Sequence, residues 1–315
     1  MGEQGKNFSI SQSLNLSLFS LRDATIAIIV LGLVGGSLAL ALRGRCAKII
    51  AVDRDAHTRE NARVIVDETS DDLARIASAD VIILALPVRA IIAMLPRVGA
   101  LAKPGAIVID LGSTKRAIVQ AMEQLPAPVQ AIVGHPMCGK EISGFDAADA
   151  NLFRGARFVL TPLARTTAHT LAFAQSLVES LGARAIILDA ARHDKIVAAI
   201  SHLPFALASA LMQTANDHAR DDDLVFELAA SGFRDTSRLA ASDVTMMLDI
   251  LLTNRDNVAA MIRASAQNLE TFAGAIERGD EIALRAMLDQ IAAQRRAMFD
   301  GTRTNADERR ANRKS

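Results

Sequence analysis

Thr25-Ile-Ala-Ile-Ile-Val30 is an unbroken apolar, β-branched run, followed by glycines at 32, 35 and 36 and then by Ser37-Leu-Ala-Leu-Ala-Leu42. A strand covered on both faces lacks the polar alternation of a half-exposed one. The pattern therefore predicts a central parallel strand, a glycine turn and a helix. Lys48–Val52 is the next strand and ends at Asp53. Further apolar runs at 79–88, 106–113, 131–133, 157–162 and 184–189 are separated by helical material. Such alternation predicts an α/β, doubly wound parallel sheet.

After Asp189 the strand pattern stops. Ile196, Ile200, Leu203, Leu207 and Leu211 form a helical stripe, interrupted at Pro204, which cannot donate to the Ile200 carbonyl. Asp243 to Glu277 is a second long helical region. Gly279-Asp280 supplies a stop and a fresh N-cap, and a last helix runs to about Phe299. The chain thus divides into an N-terminal tail (1–22), a dinucleotide-binding domain (23–190), an all-α substrate and dimerisation domain (191–300) and a flexible basic tail (301–315). Long helices after a nucleotide domain suggest pairing with a twin chain as a two-fold homodimer.

The first βαβ unit carries the nucleotide signal of a Rossmann-like fold. Gly32 allows close approach of phosphates, and Leu33, Val34 and Gly35 open a helix whose free N–H groups suit a pyrophosphate. Gly35 permits tight helix–strand packing, and Asp53 is placed to bind ribose hydroxyls, which favours NAD. Arg54, next to it, is the one hint toward NADP. Pro87, ending the 79–88 strand, is assigned to the cofactor side. The first fingerprint glycine is missing: position 30 is valine.

Composition narrows the class. The 35 basic and 35 acidic residues cancel, and Trp and Tyr are absent, so nothing points to nucleic acid. The two cysteines, Cys46 and Cys138, make no disulfide framework and suit a reducing cytoplasm. No metal is expected. Ala24 to Leu42 is uncharged and long enough to suggest a membrane span, but its glycine spacing fits strand, turn and helix instead. Residues 1–22 lack a basic start and an apolar core, so no signal peptide is expected.

Candidate chemistry lies at strand ends. His135 follows Ala131-Ile-Val133 where a strand should give way to a loop held by Pro136, a position suited to proton transfer. Ser113 and Lys115 end another strand. They either face the nicotinamide end and an anionic substrate or form an ordinary helix N-cap. His202 beside the Pro204 kink is either a ligand or a satisfied core residue. Gly232-Phe-Arg-Asp-Thr-Ser-Arg238 reads as a loop, either a carboxylate clamp or a solvated turn with a salt bridge to Asp235.

With these residues in place, the chain resembles the prephenate/arogenate dehydrogenases over about 24–296. The resemblance rests on Gly32–Ala39, Asp110–Lys115, Gly134–Met137, Glu141–Gly144, Asn151–Phe153, Ser201–Pro204 and Gly232–Arg238. It implies oxidative decarboxylation of prephenate to 4-hydroxyphenylpyruvate with hydride transfer to NAD, in tyrosine biosynthesis. In that family pattern His135 is the catalytic base, and Ser113 lies near the nicotinamide and the 4-hydroxyl. Arg238 binds a substrate carboxylate, with Glu141 and Asp235 as an ionic gate. Lys115, Lys140, Ser201 and His202 fall on the substrate side. Val30, Lys140, Phe205 and Met247 depart from the pattern, which leaves prephenate and arogenate both open as substrates. Two rivals remain. One is a 3-hydroxyacid-type dehydrogenase using Lys195, and the other a regulator that binds NAD without turnover.

Overall fold

A computed structural model describes residues 20–140 and 142–311, with side chains through Met298. Most of the expected 1–22 tail lies outside the described residues. Residues up to Val258 form one compact unit, and Ala259 onward a second.

The first unit is built on one sheet in the order β3-β2-β1-β4-β5-β6-β7-β8. Its strands are β1 (Thr25–Ile29), β2 (Lys48–Val52), β3 (Glu68–Ser70), β4 (Val81–Leu84), β5 (Ile107–Asp110), β6 (Gln130–Pro136), β7 (Arg157–Pro162) and β8 (Arg184–Ile187). Around and after them lie α1 (Leu33–Leu42), α2 (Ala56–Ala62), α3 (Val88–Leu101), α4 (Arg116–Met122), α5 (Ala168–Ser180), α6 (Ala190–Val197), α7 (Leu203–His218), α8 (Leu224–Glu227), α9 (Ser231–Ser237), α10 (Val244–Thr253) and the start of α11 (Arg255–Glu277).

Alternation along β1 explains the two-sided burial. Ile26 and Ile28 join one core with Leu38 and Leu42 of α1 and Phe173 and Leu177 of α5. Ala27 and Ile29 join the other, with Ile91, Leu95 and Val98 of α3 and Met122 of α4. Each fully buried Leu or Ile contributes roughly 1.5–3 kcal/mol, so the doubly wound core is the main source of stability.

The expectation of a wholly parallel sheet is corrected at one edge. Strands β1 to β6 run parallel, but β7 is antiparallel to β6, and β8 is parallel to β7. Among the described residues no crossover α-helix separates β6 from β7, only a 3-10 turn at Phe145–Ala147. Met137 N–H instead bonds the Arg157 carbonyl at 2.8 Å, continuing the ladder through a long return loop. The reversal changes nothing at the nucleotide crevice, which lies where the order switches between β1 and β4. Strand β3 went unread because Glu68-Thr-Ser70 has no apolar residue.

The run 190–218 is α6, a π-turn (Ala198–His202) and α7. Pro204 has no N–H for the Ile200 carbonyl, and just before it the Leu203 N–H reaches back to Ala198 O in the wider π pattern. The run is long and apolar enough to cross a membrane by composition alone. Its buried polar groups nonetheless find partners within this protein, as set out below. The expected apolar stripe is only partly covered, with Leu203 and Leu211 half-buried. Ile196, Ile200 and Leu207 are exposed, whereas His193, Asp194, Val197, Ala198 and His202 are buried.

Two further expectations change. The predicted 243–277 helix breaks at Asn254 into α10 and α11. The predicted 232–238 loop is helical, α9 followed by a 3-10 turn at Arg238–Ala241. Gly232 sits in the first turn of α9, where its flexibility costs little, and Thr236 Oγ1 bonds its carbonyl at 2.8 Å.

The second unit holds the remainder of α11 and α12 (Glu281–Ala311). Gly279 takes φ +63° and ends α11, and Asp280 Oδ1 accepts the Ala283 N–H at 3.0 Å. The stop and N-cap read from sequence are in place. The expected flexible tail from 301 is corrected: α12 continues to Ala311, through a proline-free segment with good helix formers at Ala306 and Glu308–Ala311.

Candidate active site

The glycine turn after β1 forms the first part of the site. Gly32 is the N-cap of α1, and the first intrahelical bond there runs from Gly36 N–H to Gly32 O at 2.8 Å. The N–H groups of Leu33, Val34 and Gly35 precede that bond and open onto the helix end, as an anion-binding terminus requires. A Cβ on Gly32 would meet nothing within 4 Å, leaving room for a ligand. A Cβ on Gly35 would lie 2.1 Å from Val30 O and 3.1 Å from Ala85 Cβ, so glycine is obligatory there.

Val30 occupies the missing-glycine position with φ +70°, the one positive-φ non-glycine residue among those described. The turn keeps its shape despite the substitution. Its N–H bonds Val52 O at 2.8 Å, and the neighbouring Leu31 N–H bonds Asp53 Oδ2 at 2.8 Å. Asp53 Oδ1 accepts the Asp55 N–H at 2.9 Å. Asp53, Arg54 and Val30 line a cavity of about 460 Å³ with Leu73, Met94 and Arg97. The carboxylate thus both braces the turn and faces a space sized for a nucleoside. Pro87 is exposed, and its carbonyl starts α3 by accepting the Ile91 N–H at 2.9 Å. The α3 N-terminus is also held by Asp249 of α10, whose Oδ2 accepts the Arg89 N–H at 3.0 Å and whose Oδ1 takes Arg89 Nε.

Strands β5 and β6 carry the second part. Asp110, at the end of β5, is buried. Its Oδ1 accepts the Gly134 N–H at 3.0 Å, and its Oδ2 accepts the Gly112 N–H at 2.8 Å and Lys115 Nζ at 2.6 Å. Lys115 Nζ also donates to Gly134 O. Gly134 is therefore gripped at both its N–H and its carbonyl, which fixes the backbone immediately before His135. Burial pulls both ions toward neutrality, Asp110 up and Lys115 down, and each charge opposes the other's shift.

His135 belongs to β6 itself, paired opposite Val159, rather than to the loop beyond it. Its ring is only partly buried. Nδ1 lies 2.9 Å from His193 Nε2, with the two rings edge to face at 69°. Nε2 has no partner among the described residues. Burial first, then the charges of Lys115, His193 and His202, hold the imidazole well below its usual range.

His193 and Asp194 sit on α6. His193 Nδ1 is 2.8 Å from Asp194 Oδ1. Asp194 Oδ1 also accepts the Lys115 N–H at 2.7 Å, and Oδ2 the Arg116 N–H at 3.0 Å, which caps α4. Asn254 Nδ2 bonds the Asp194 carbonyl at 2.7 Å and lies 3.3 Å from His202 Nδ1. None of His193, Asp194, Asp110 or Asn254 was predicted. The available signal was a His-Asp pair one turn past the Asp189 N-cap.

The other expected residues divide. Ser113 is partly exposed at the carboxyl end of β5, beside the strand that carries His135. The assignment of Lys115 to substrate is corrected: its side chain is fully buried and spent on Asp110 and Gly134. Lys140 is likewise engaged within its own loop, at 3.1 Å from Ala147 O and 3.2 Å from Asp149 Oδ2. His202 is buried against Asn254, and burial pushes its imidazole down to about 4. Ser201 is exposed on the π-turn. Arg238 and Asp235 are exposed on the 3-10 turn and α9, which pack on α7, and Asp235 lies 3.7 Å from Arg234. Glu141 lies outside the described residues. Burial pushes the Cys138 thiol up to about 11, away from the thiolate form that a nucleophile needs.

Comparison with known proteins follows the same two-part division. Residues 38–187 match the prephenate dehydrogenase nucleotide-binding domain and residues 189–290 the prephenate dehydrogenase dimerization domain. The chain is 36% identical over 279 residues to the prephenate dehydrogenase of Lactococcus lactis subsp. cremoris, covering 87% of this chain and 77% of that protein. Among solved structures it is similar to Synechocystis arogenate dehydrogenase, with 34% identity, a TM-score of 0.76, and coverage of 87% of this chain and 99% of the other. It is also similar to prephenate dehydrogenase from A. aeolicus in complex with hydroxyphenyl propionate and NAD+, with 29% identity, a TM-score of 0.82, and coverage of 90% and 100%. A glycine turn beside a nucleoside-sized cavity, a braced histidine at the end of β6 and these matches lead to one conclusion: the chain belongs to the prephenate dehydrogenase family.

Proposed function

We propose that this protein is an NAD-dependent oxidoreductase that converts prephenate to 4-hydroxyphenylpyruvate and carbon dioxide. The observation that carries the reading is His135: a partly exposed imidazole at the carboxyl end of β6, braced through Gly134, with an Nε2 that has no partner among the described residues. At neutral pH it is held neutral, as a base must be.

NAD, when bound, supplies the hydride acceptor. Leu33, Val34 and Gly35 N–H groups at the α1 terminus would hold its pyrophosphate, and Asp53 its ribose, with Arg54 and Pro87 on the same edge. His135 Nε2 accepts the hydrogen bond of the substrate 4-hydroxyl and takes its proton as hydride leaves C4. The ring carboxylate then departs as carbon dioxide. Its electron pair enters the ring, which becomes aromatic, and the phenolate oxygen recovers the proton from His135. The proton is lent and returned, so the base is regenerated each cycle. Ser113 is the second polar group at this edge. Arg238 is assigned to a substrate carboxylate, with Asp235 and Glu141 assigned to its ionic gate.

Arogenate is the second reading, supported by the 34% identity to an arogenate dehydrogenase. Exposed Leu269, Ile276, Ile282, Leu288 and Ile291 on α11 and α12 support a homodimer assembled through the helical region. A cytoplasmic location accords with the reduced cysteines. The deciding experiment follows NADH absorbance with prephenate, with arogenate and with 3-hydroxyacids. Turnover of prephenate is expected. Turnover of 3-hydroxyacids alone, or of nothing, would overturn the reading.

A further inference from the structure

We propose that His193 and Asp194 are the positioning pair of His135. They hold it as the Nδ1–H tautomer and give the charge it acquires during turnover a route to a buried carboxylate.

The assignment follows from counting donors. Asp194 is an acceptor only, and both its oxygens already take backbone N–H groups, from Lys115 at 2.7 Å and Arg116 at 3.0 Å. His193 Nδ1, 2.8 Å from Oδ1, must therefore be the donor. In a neutral imidazole the other nitrogen is then an acceptor, so His193 Nε2 receives a hydrogen bond across the 2.9 Å contact. Its donor can only be His135 Nδ1–H. That leaves His135 Nε2 as a lone pair, on the one ring of the two that reaches solvent; His193 is 1% exposed. A protonated His193 would reverse the last bond and turn His135 Nε2 into an N–H, unable to accept a proton.

The second half of the inference rests on the proposed dehydrogenase reaction. As His135 Nε2 takes the hydroxyl proton, its Nδ1 proton passes to His193 Nε2. The positive charge then lies on His193, hydrogen-bonded to Asp194. When the phenolate reclaims its proton both transfers reverse, and no proton is gained or lost. The groups facing this pair are Lys115 and Asp110 from the β5–α4 junction, His202 from the π-turn and Asn254 after α10. Asp194 is fixed by two backbone donors, so the relay cannot relax by rotating its terminal group.

Two measurements test the proposal. The first is ¹⁵N NMR of the histidine-labelled whole chain with the His135 signals assigned by their loss in His135→Asn; it requires no substrate. His135 protonated on Nδ1 is expected, and protonation on Nε2 would overturn the proposal whatever the reaction. The second is steady-state kinetics. His193→Leu should lower kcat by about 10²-fold or more with KM within about threefold. His193→Gln, whose amide oxygen can still accept from His135 but carries no charge, should recover about tenfold of that loss. NAD affinity and melting temperature serve as folding controls. A His193→Leu enzyme with kcat within about threefold of wild type, and an unchanged pH profile, would remove the pair from the mechanism. A wild type with the expected tautomer but no turnover of prephenate or arogenate would contradict the substrate reading and leave the tautomer assignment intact.

Discussion

At the scale of single residues, the sharpest departures are Val30 and Lys115. A β-branched residue at φ +70° is held in a region that costs of order 1–3 kcal/mol. Val30→Gly should relieve that strain, at some cost in unfolded-state entropy, for a net gain of about 1 kcal/mol. Urea unfolding checks it, and a loss of stability would show that the Val30 side chain contributes packing that outweighs the strain. The missing glycine was visible in the sequence, but the turn's survival was not, because it depends on the Leu31–Asp53 bond across the turn. Lys115 departs from its expected place for a related reason. A lysine at a strand end is usually solvated, and only the neighbouring strand's Gly134 reveals what it is for. Lys115→Met leaves Asp110 buried without its counter-ion and should cost about 3–5 kcal/mol, whereas Lys115→Met with Asp110→Leu should recover much of it. Equal stability of the single variant and wild type would mean the pair is not braced as described.

At the scale of elements, the 190–218 run shows how amphipathicity can point the wrong way. Its apolar stripe was legible, and the rule that apolar faces turn inward assigned it to the core. In this chain the inward face carries His193, Asp194 and His202 beside Val197 and Ala198, while Ile196, Ile200 and Leu207 of the stripe are exposed. Buried polar residues that find partners inside the protein override the usual pattern. His202 gives this a measurable consequence. Its folded-state pKa of about 4 lies below the ordinary unfolded value near 6.5, so the unfolded chain binds the proton first. Its contribution to stability is intact above about pH 6.5 and is lost as the pH falls toward about 4. Melting temperatures across that window should fall, and His202→Leu should flatten the slope. An unchanged slope would place another group in control. Gly232 suggests a break and so a loop at α9, yet in a helix's first turn glycine is tolerated. For Arg238 on the following turn, Arg238→Gln should raise KM by about ten- to a hundredfold with little loss of kcat, as for a lost charge-assisted contact made equally in ground and transition states. An unchanged KM, measured with prephenate under saturating NAD, would release Arg238 from substrate binding.

At the scale of the whole molecule, the doubly wound sheet followed by an all-helical region was readable because buried parallel strands announce themselves as continuous apolar runs. The reversed direction of β7 and β8 was not. Direction is set by how the chain returns, and a long loop and a crossover look alike when both are poor in periodicity. The site was half legible on the same grounds. His135 and the glycine turn lie at strand ends that the sequence locates, whereas Asp110, His193 and Asp194 act through contacts between segments far apart in the chain. The account's central claim is that His135 is the base for dehydrogenation of a prephenate-type substrate. The most direct test compares initial rates of NADH formation from prephenate by wild type and His135→Asn, with NAD affinity measured on both. Wild type should turn over, and the variant should bind NAD equally well while losing about 10²–10⁴-fold in kcat. A variant that keeps kcat within about threefold of wild type would contradict the claim.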